Sequence, residues 1–86
     1  MKNVYELYAR YDARQSFYGK ALVECKKGKK VLYSYLTEVA TIKDNGAIRL
    51  TQEAICSQTT LRHVKEFVRQ ETGKAYTKKD LLAFVR

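Results

Sequence analysis

The sequence predicts a small α+β domain: an antiparallel β-meander of three to four strands covered by a C-terminal amphipathic helix and a second short helix. Three observations carry that prediction. Between Phe17 and Leu50 the chain is a succession of short β-branched and aromatic runs separated by glycine-containing turns. After Cys56 the apolar period changes from that of a strand to that of a helix. The length of 86 residues, with 45% hydrophobic content, supports one modest core and no second one, so residues 1–86 are expected to form a single domain.

The first element is the hardest to assign. In "NVYELYARY" Val4, Leu7, Tyr8 and Tyr11 recur at helical spacing, whereas Tyr5, Leu7, Ala9 and Tyr11 alternate as a strand would. Asn3 followed by Glu6 resembles a capping box and tips the expectation to a short helix over 3–11. "RYDARQS" then reads as a polar connection. From Phe17, "FYGKALVEC" and "KVLYSYL" are strands joined through Lys27-Gly28, where glycine supplies the left-handed position a tight hairpin needs. "VATIK" and "AIRL" follow, and Asn45-Gly46 between them is the pair preferred in a type I′ turn. Strands in succession joined by tight turns imply antiparallel pairing.

In "CSQTTLRHVKEFVRQETGK" the residues Leu61, Val64 and Val68, with Phe67 beside them, form one apolar stripe. Ser57 or Thr59 is placed to cap its start and Gly73 to end it. A second helix, "TKKDLLAFVR", has Thr77 and Asp80 as a cap pair and Leu81, Phe84 and Val85 as its apolar face. A sheet with one face covered by these helices is the economical arrangement.

The net charge of +8 and the isoelectric point near 9.6 set up a field that attracts polyanions without choosing among them. Its distribution is uneven. Residues 20–30 carry +4, from Lys20, Lys26, Lys27, Lys29 and Lys30 against Glu24, and residues 57–86 carry another +4, whereas residues 31–56 carry −1. Two cysteines, Cys25 and Cys56, allow at most one disulfide, and no apolar N-terminal stretch resembles a signal peptide or membrane span, so a cytoplasmic chain with reduced thiols is expected.

The segments "SFYGKA", "LYSYLTEVA" and "TTLRHVKEF" resemble a family of short uncharacterised proteins carried by phages and mobile elements of Gram-positive bacteria. In that family a Ser-Phe-Tyr-Gly-Lys-Ala strand, a Ser-Tyr-x-Thr-x-Val strand and a Thr-Thr-x-Arg-His-x-x-Glu-Phe helix occur in this order. Here they fall on residues 16–21, 34–39 and 59–67, so the resemblance spans most of 16–70 and places Arg62, His63, Glu66 and Phe67 on the helix motif. It implies a bacterial or phage cytoplasmic setting. It carries no activity, because function belongs to sites rather than to folds.

Enzyme chemistry finds little support. His63, the one histidine, would need a nucleophile and an orienting group, and Thr59, His63 and Glu66 satisfy this only on paper. A histidine bonded to the sheet or to a neighbouring loop is the better account. Cys25, Cys56 and His63 lack the paired spacing of a zinc site, and Cys25, on one strand face with Ala21 and Val23, reads as a buried inert thiol. The four glycines form no phosphate loop, and the nine acidic residues offer no glycosidase or two-metal pair. No cofactor or metal is expected.

The basic residues remain. Arg62, Lys65 and Arg69 line the side of their helix opposite the apolar stripe; Lys26, Lys27, Lys29 and Lys30 crowd one hairpin; Lys74, Lys78 and Lys79 follow the helix. For one helix alone, a solvated polar face with an Arg62-Glu66 pair would suffice. All of these together point to a non-enzymatic protein that engages nucleic acid or a nucleic-acid-bound host complex. Half a dozen phosphate contacts would lose roughly a thousandfold in affinity between 50 and 200 mM salt. Tyr33 and Tyr35, expected on one strand face, are either base-stacking platforms or, with Val31, sheet-packing residues. The rival reading is a protein-protein inhibitor of a host defence effector, anti-CRISPR-like, whose basic face meets an acidic surface; an enzyme using His63 is a remote third. No membrane partner is expected, and a free sheet edge offers a route to a homodimer.

Overall fold

The computed structural model describes residues 3–7 and 20–85. Tyr8 and Tyr11, the polar connection and the start of the strand expected from Phe17 lie outside the described residues. Among those described, five strands form one antiparallel sheet in sequence order: β1 (Asn3–Glu6), β2 (Ala21–Lys26), β3 (Lys29–Ser34), β4 (Thr37–Lys43) and β5 (Ile48–Leu50). A 3₁₀ turn (Gln52–Ile55) leads into α1 (Gln58–Thr72), and α2 (Lys78–Leu82) follows. The α+β class with a main helix and a short second one is as expected.

The strand count exceeds the expectation by one, and the reason lies at the N-terminus. Asn3–Glu6 is not the first turn of a helix but the edge strand β1, paired with Leu22–Cys25 of β2. The period-2 pattern prevails because Leu7 enters the core, with its N–H donating to the Ala21 carbonyl at 2.9 Å. Pairing along the whole length of β1 outweighs a capping pair that would serve a very short helix.

Alternation then sorts the strands, with Val31 of β3 the exception, since it has the opposite parity and is buried on the other face. Ala21, Val23, Leu32, Ala40, Ile42 and Leu50 point to one face and make the core with Leu61, Val64, Phe67 and Val68 of α1 and Leu81 of α2. Each large apolar side chain buried there contributes roughly 1.5–3 kcal/mol before entropy is counted. The register of β4 slips by one residue between Leu32 and Tyr33 of its partner, so Val39 is the extra residue of a bulge. That bulge explains why neighbours Val39 and Ala40 are both buried.

The turns differ in kind. At Lys27-Gly28 only the glycine has positive φ, 79°, the pattern of a type II turn. Asn45-Gly46 departs from the expected type I′ turn: Gly46 alone is left-handed, the Gly46 N–H donates to the Lys43 carbonyl, and Lys43 in turn donates to Ala47. This is a type I turn closed by a glycine bulge. Asp44 N–H donates to the Gly28 carbonyl at 3.0 Å, which sets these two tips side by side. The third turn, Tyr35-Leu36, has both residues left-handed, at φ 53° and 69°.

Both helix starts and the end of α1 are as the sequence foretells, but α2 stops at Leu82, so Phe84 and Val85 are not on its apolar face: Ala83 and Phe84 form a turn and Val85 bridges to Leu50. The Ser57 hydroxyl accepts the Thr60 N–H at 3.1 Å, Gly73 closes α1 at φ 77°, and Thr77 and Asp80 make a reciprocal capping box on α2. Leu81 is buried, and Phe84 and Val85 pack at the edge of the core, where the Leu50 N–H donates to the Phe84 carbonyl and covers the outer edge of β5.

Candidate nucleic-acid interface

The basic residues do not share one face. Because Leu32 and Ser34 of β3 face α1, Lys30 does too, and its ammonium lies 3.0 Å from Glu71 of that helix. Glu71 is the main reason the Lys30 pKa is raised from its ordinary value, first through the hydrogen bond and then, past an opposing desolvation, through charge. Lys30 is therefore a fastener between sheet and helix. Lys26, Lys29, Lys43 and Arg49 have the other parity and point away from α1.

On that outer face register creates something the linear sequence hides. Lys26 is directly opposite Lys29, and Lys29 is directly opposite Lys43, so three adjacent strands carry a row of three lysines. Strands lie about 4.8 Å apart, which makes the row roughly 10 Å long. Arg49, opposite Thr41, extends it diagonally onto β5. Lys29, Lys43 and Arg49, with Glu38, Thr41 and Thr51, line a shallow concavity. Lys26 has Glu24 at 3.8 Å, whereas Lys29, Lys43 and Arg49 form no ion pair among the described residues. Like charges directly opposite each other cost about 0.2–1 kcal/mol per pair, a cost that Glu24 offsets in part at Lys26.

Lys27 sits exposed at the neighbouring tip. Arg62, Lys65 and Arg69 lie half-buried on α1, on the opposite side of the sheet from the row, and both arginines already engage neighbours within the chain. Lys78 and Lys79 are exposed on α2. Lys43 and Arg49 were missed by a count of charge along the chain because they fall in the segment of net −1; pairing the hairpins through Gly28 and Gly46 would have found Lys43.

Tyr33 and Tyr35 do not share a strand face. Tyr33 is half-buried on the outer face and donates its hydroxyl to Glu24 at 2.9 Å, which, with some desolvation, raises its pKa. Tyr35 has left the strand for the turn, where it is 52% exposed and Leu36 beside it 85% exposed. The Tyr35 ring lies 5.9 Å from the His63 ring on one side and 6.0 Å from the Lys20 ammonium on another.

His63 is tied to the sheet. Its Nδ1 lies 2.8 Å from the Ser34 hydroxyl, which also meets the Thr60 hydroxyl at 3.2 Å. The partner one turn back is thus Thr60 rather than the exposed Thr59. Ser34 is only 2% exposed and His63 only 1%, so the serine oxygen has no open approach for a substrate. Glu66 is buried as well and accepts from the Gln70 amide at 2.5 Å. Ser34 escaped the sequence reading because nothing distinguishes it from any small strand residue until register places it under α1.

Both cysteines are free: Cys56 is exposed, and Cys25 is half-buried rather than buried, because its register partners Asn3 and Lys30 lie at the polar margin of the sheet. No group of three histidine, cysteine or acidic residues gathers among the described residues. None of the described helices is long and apolar enough to cross a membrane.

No curated protein and no solved structure gives a match to the chain. A family of unknown function does: residues 5–83 match DUF8033, which takes in the end of the edge strand, the lysine row, the Tyr35-Leu36 turn and both helices, and the chain belongs to that family.

Proposed function

We propose that the protein is a small non-enzymatic binding protein whose basic outer sheet face engages the phosphate backbone of nucleic acid, free or within a host nucleoprotein. The carrying observation is the in-register row Lys26-Lys29-Lys43, extended by Arg49, of which the last three form no internal ion pair among the described residues. Duplex DNA presents one charge per roughly 1.7 Å of axis, so a row of this length meets several phosphates at once. Contact would relieve the lysine-lysine repulsion and release counterions together. Because the contacts are to backbone, the binding is sequence-tolerant.

The resemblance of "SFYGKA", "LYSYLTEVA" and "TTLRHVKEF" to proteins of phages and mobile elements supports a phage or mobile-element origin and a place in the bacterial cytoplasm. The burial of Ser34 and His63 supports a binding rather than a catalytic role.

Titration of the whole chain against a labelled 20-base-pair duplex tests the reading. Four phosphate contacts give a log-log salt slope near −3.6, hence a loss of roughly a hundredfold from 50 to 200 mM salt. The double variant Lys29→Glu/Lys43→Glu should abolish binding at 100 mM while leaving the melting temperature unchanged or raised. Absence of binding at 50 mM salt by the unmodified chain would sink the direct-contact reading, and a partner complex that survives nuclease would favour the inhibitor instead.

A further inference from the structure

The turn between β3 and β4 is built against its own backbone preference. Two-residue loops with both residues left-handed are the province of Asn-Gly and its relatives, and this chain places those residues elsewhere, at Asn45-Gly46. At φ 53° and 69° it holds a tyrosine and a leucine, and it exposes them by 52% and 85%. A turn needed only to reverse the chain gains nothing from the exposed Leu36 side chain. Non-glycine residues held left-handed cluster at ligand clamps and binding tips.

We infer that the Tyr35-Leu36 tip is an anchor for a protein partner that offers an apolar cleft rimmed by carboxylates. The tip is held firmly. Tyr35 N–H donates to the Lys20 carbonyl at 2.8 Å, and the Tyr35 ring rests against His63, which the Ser34 hydroxyl fixes from below. A knob ordered before binding loses little entropy on docking, and tyrosine is among the residues enriched in interface hot spots. Beside it, Lys20, Leu22, Tyr35 and Leu36 line a small concavity in which the one charged residue among those described is a lysine. That charge selects an acidic rim.

A second copy of the chain fits less well, since facing tips would bring Lys20 against Lys20 on molecules of net charge +8. A lipid surface fits less well too, because one leucine and one tyrosine bury too little for stable insertion. The tip lies at the far end of β3 from Lys29, about 20 Å by strand length, so it is a separate surface from the lysine row and does not depend on it.

The test places a photo-crosslinking residue at position 36 of the full chain, irradiates it in nuclease-treated bacterial lysate, and identifies the protein joined to it. That protein, purified, is then titrated calorimetrically against the chain and its variants. Leu36→Asp and Tyr35→Ala should each weaken binding by about thirtyfold or more, the scale of a hot-spot residue. Lys20→Glu should weaken it by roughly tenfold, with the loss fading at high salt. Leu36→Gly should weaken binding while raising the melting temperature, an opposition that a merely structural turn does not produce. Lys29→Glu/Lys43→Glu should leave it unchanged, and Leu36→Asp should leave duplex binding unchanged, so the two sites fail or stand separately. The inference is overturned by any of four results: no discrete crosslinked protein, equal affinity for Leu36→Asp, Leu36-dependent binding to phosphatidylglycerol vesicles, or a Leu36-dependent dimer in light scattering.

Discussion

Replacing Leu36 with glycine should make the protein more stable, which is unusual for removal of a leucine. Leu36 sits at φ 69°, where a side chain with a Cβ costs roughly 1–2 kcal/mol, and glycine removes that cost. Against the gain stands the greater freedom of glycine in the unfolded chain, about 0.5–1 kcal/mol. The burial lost is small: at 85% exposure the leucine hides only a minor part of its surface, worth roughly 0.2–0.5 kcal/mol. The balance is a stabilisation of about 0.5 kcal/mol, or about 2–4 °C in Tm for a domain of this size. Gly28→Ala supplies the mirror experiment. Gly28 lies at φ 79° with no atom within 4 Å of where an alanine methyl would stand, so the substitution meets the same left-handed cost without any clash and should lower stability by about 1 kcal/mol. Urea denaturation and calorimetry on both variants read the pair. If Leu36→Gly melts below the unmodified protein, the strain assigned to this turn does not exist.

His63→Ala should cost about 2–4 kcal/mol in urea denaturation, since it opens a cavity under α1 and leaves the Ser34 hydroxyl with only Thr60; Ser34→Ala, which removes less volume, should cost less. Glu71→Gln should lower stability by no more than about 1 kcal/mol at neutral pH, because Lys30 is partly solvated. Alkaline stability follows from the two raised pKa values. Lys30 held by Glu71 and Tyr33 held by Glu24 stay protonated longer in the folded chain, so their contribution is complete below the ordinary values of 10.5 and 10.0 and is lost as pH climbs through the higher folded ones. Glu71→Gln and Glu24→Gln should each flatten the fall in stability above pH 10, measured by denaturant midpoint against pH. Arg49→Ala should reduce the salt slope of duplex binding by about one, whereas Lys30→Ala should leave it unchanged.

What sequence pattern revealed was whatever depends on one element at a time. The stripe Leu61-Val64-Phe67-Val68, the Ser57 cap, the Thr77-Asp80 box and the left-handed Gly28 and Gly73 all follow from spacing and residue chemistry within a few positions, and all are present. What it obscured depends on pairing between elements. The edge strand Asn3–Glu6 needs β2 beside it to outweigh a helical pattern, and the Val39 bulge needs β3. Lysines adjacent along the chain separate by parity, so that Lys29 faces outward and Lys30 turns to Glu71, and Lys43, far along the chain from Lys29, becomes its neighbour. A charge count along the chain cannot make that separation, because it has no register in it.

The arrangement of charge on the outer face is compatible with the proposed binding role. Glu24, Glu38 and Tyr33 share that face with the lysine row, and Glu24 is close enough to reach Lys26. Yet Glu24 also accepts from Tyr33, and Glu38 stands opposite Tyr33 rather than opposite a lysine. One exchange of position, a carboxylate in place of Lys29, would convert two like-charge contacts into two favourable cross-strand pairs and stabilise the sheet by up to about 2 kcal/mol. The same exchange would remove the centre of the cationic row. A domain this small has little stability to spare, so a like-charge row at its middle strand is a cost that the proposed anionic partner would offset.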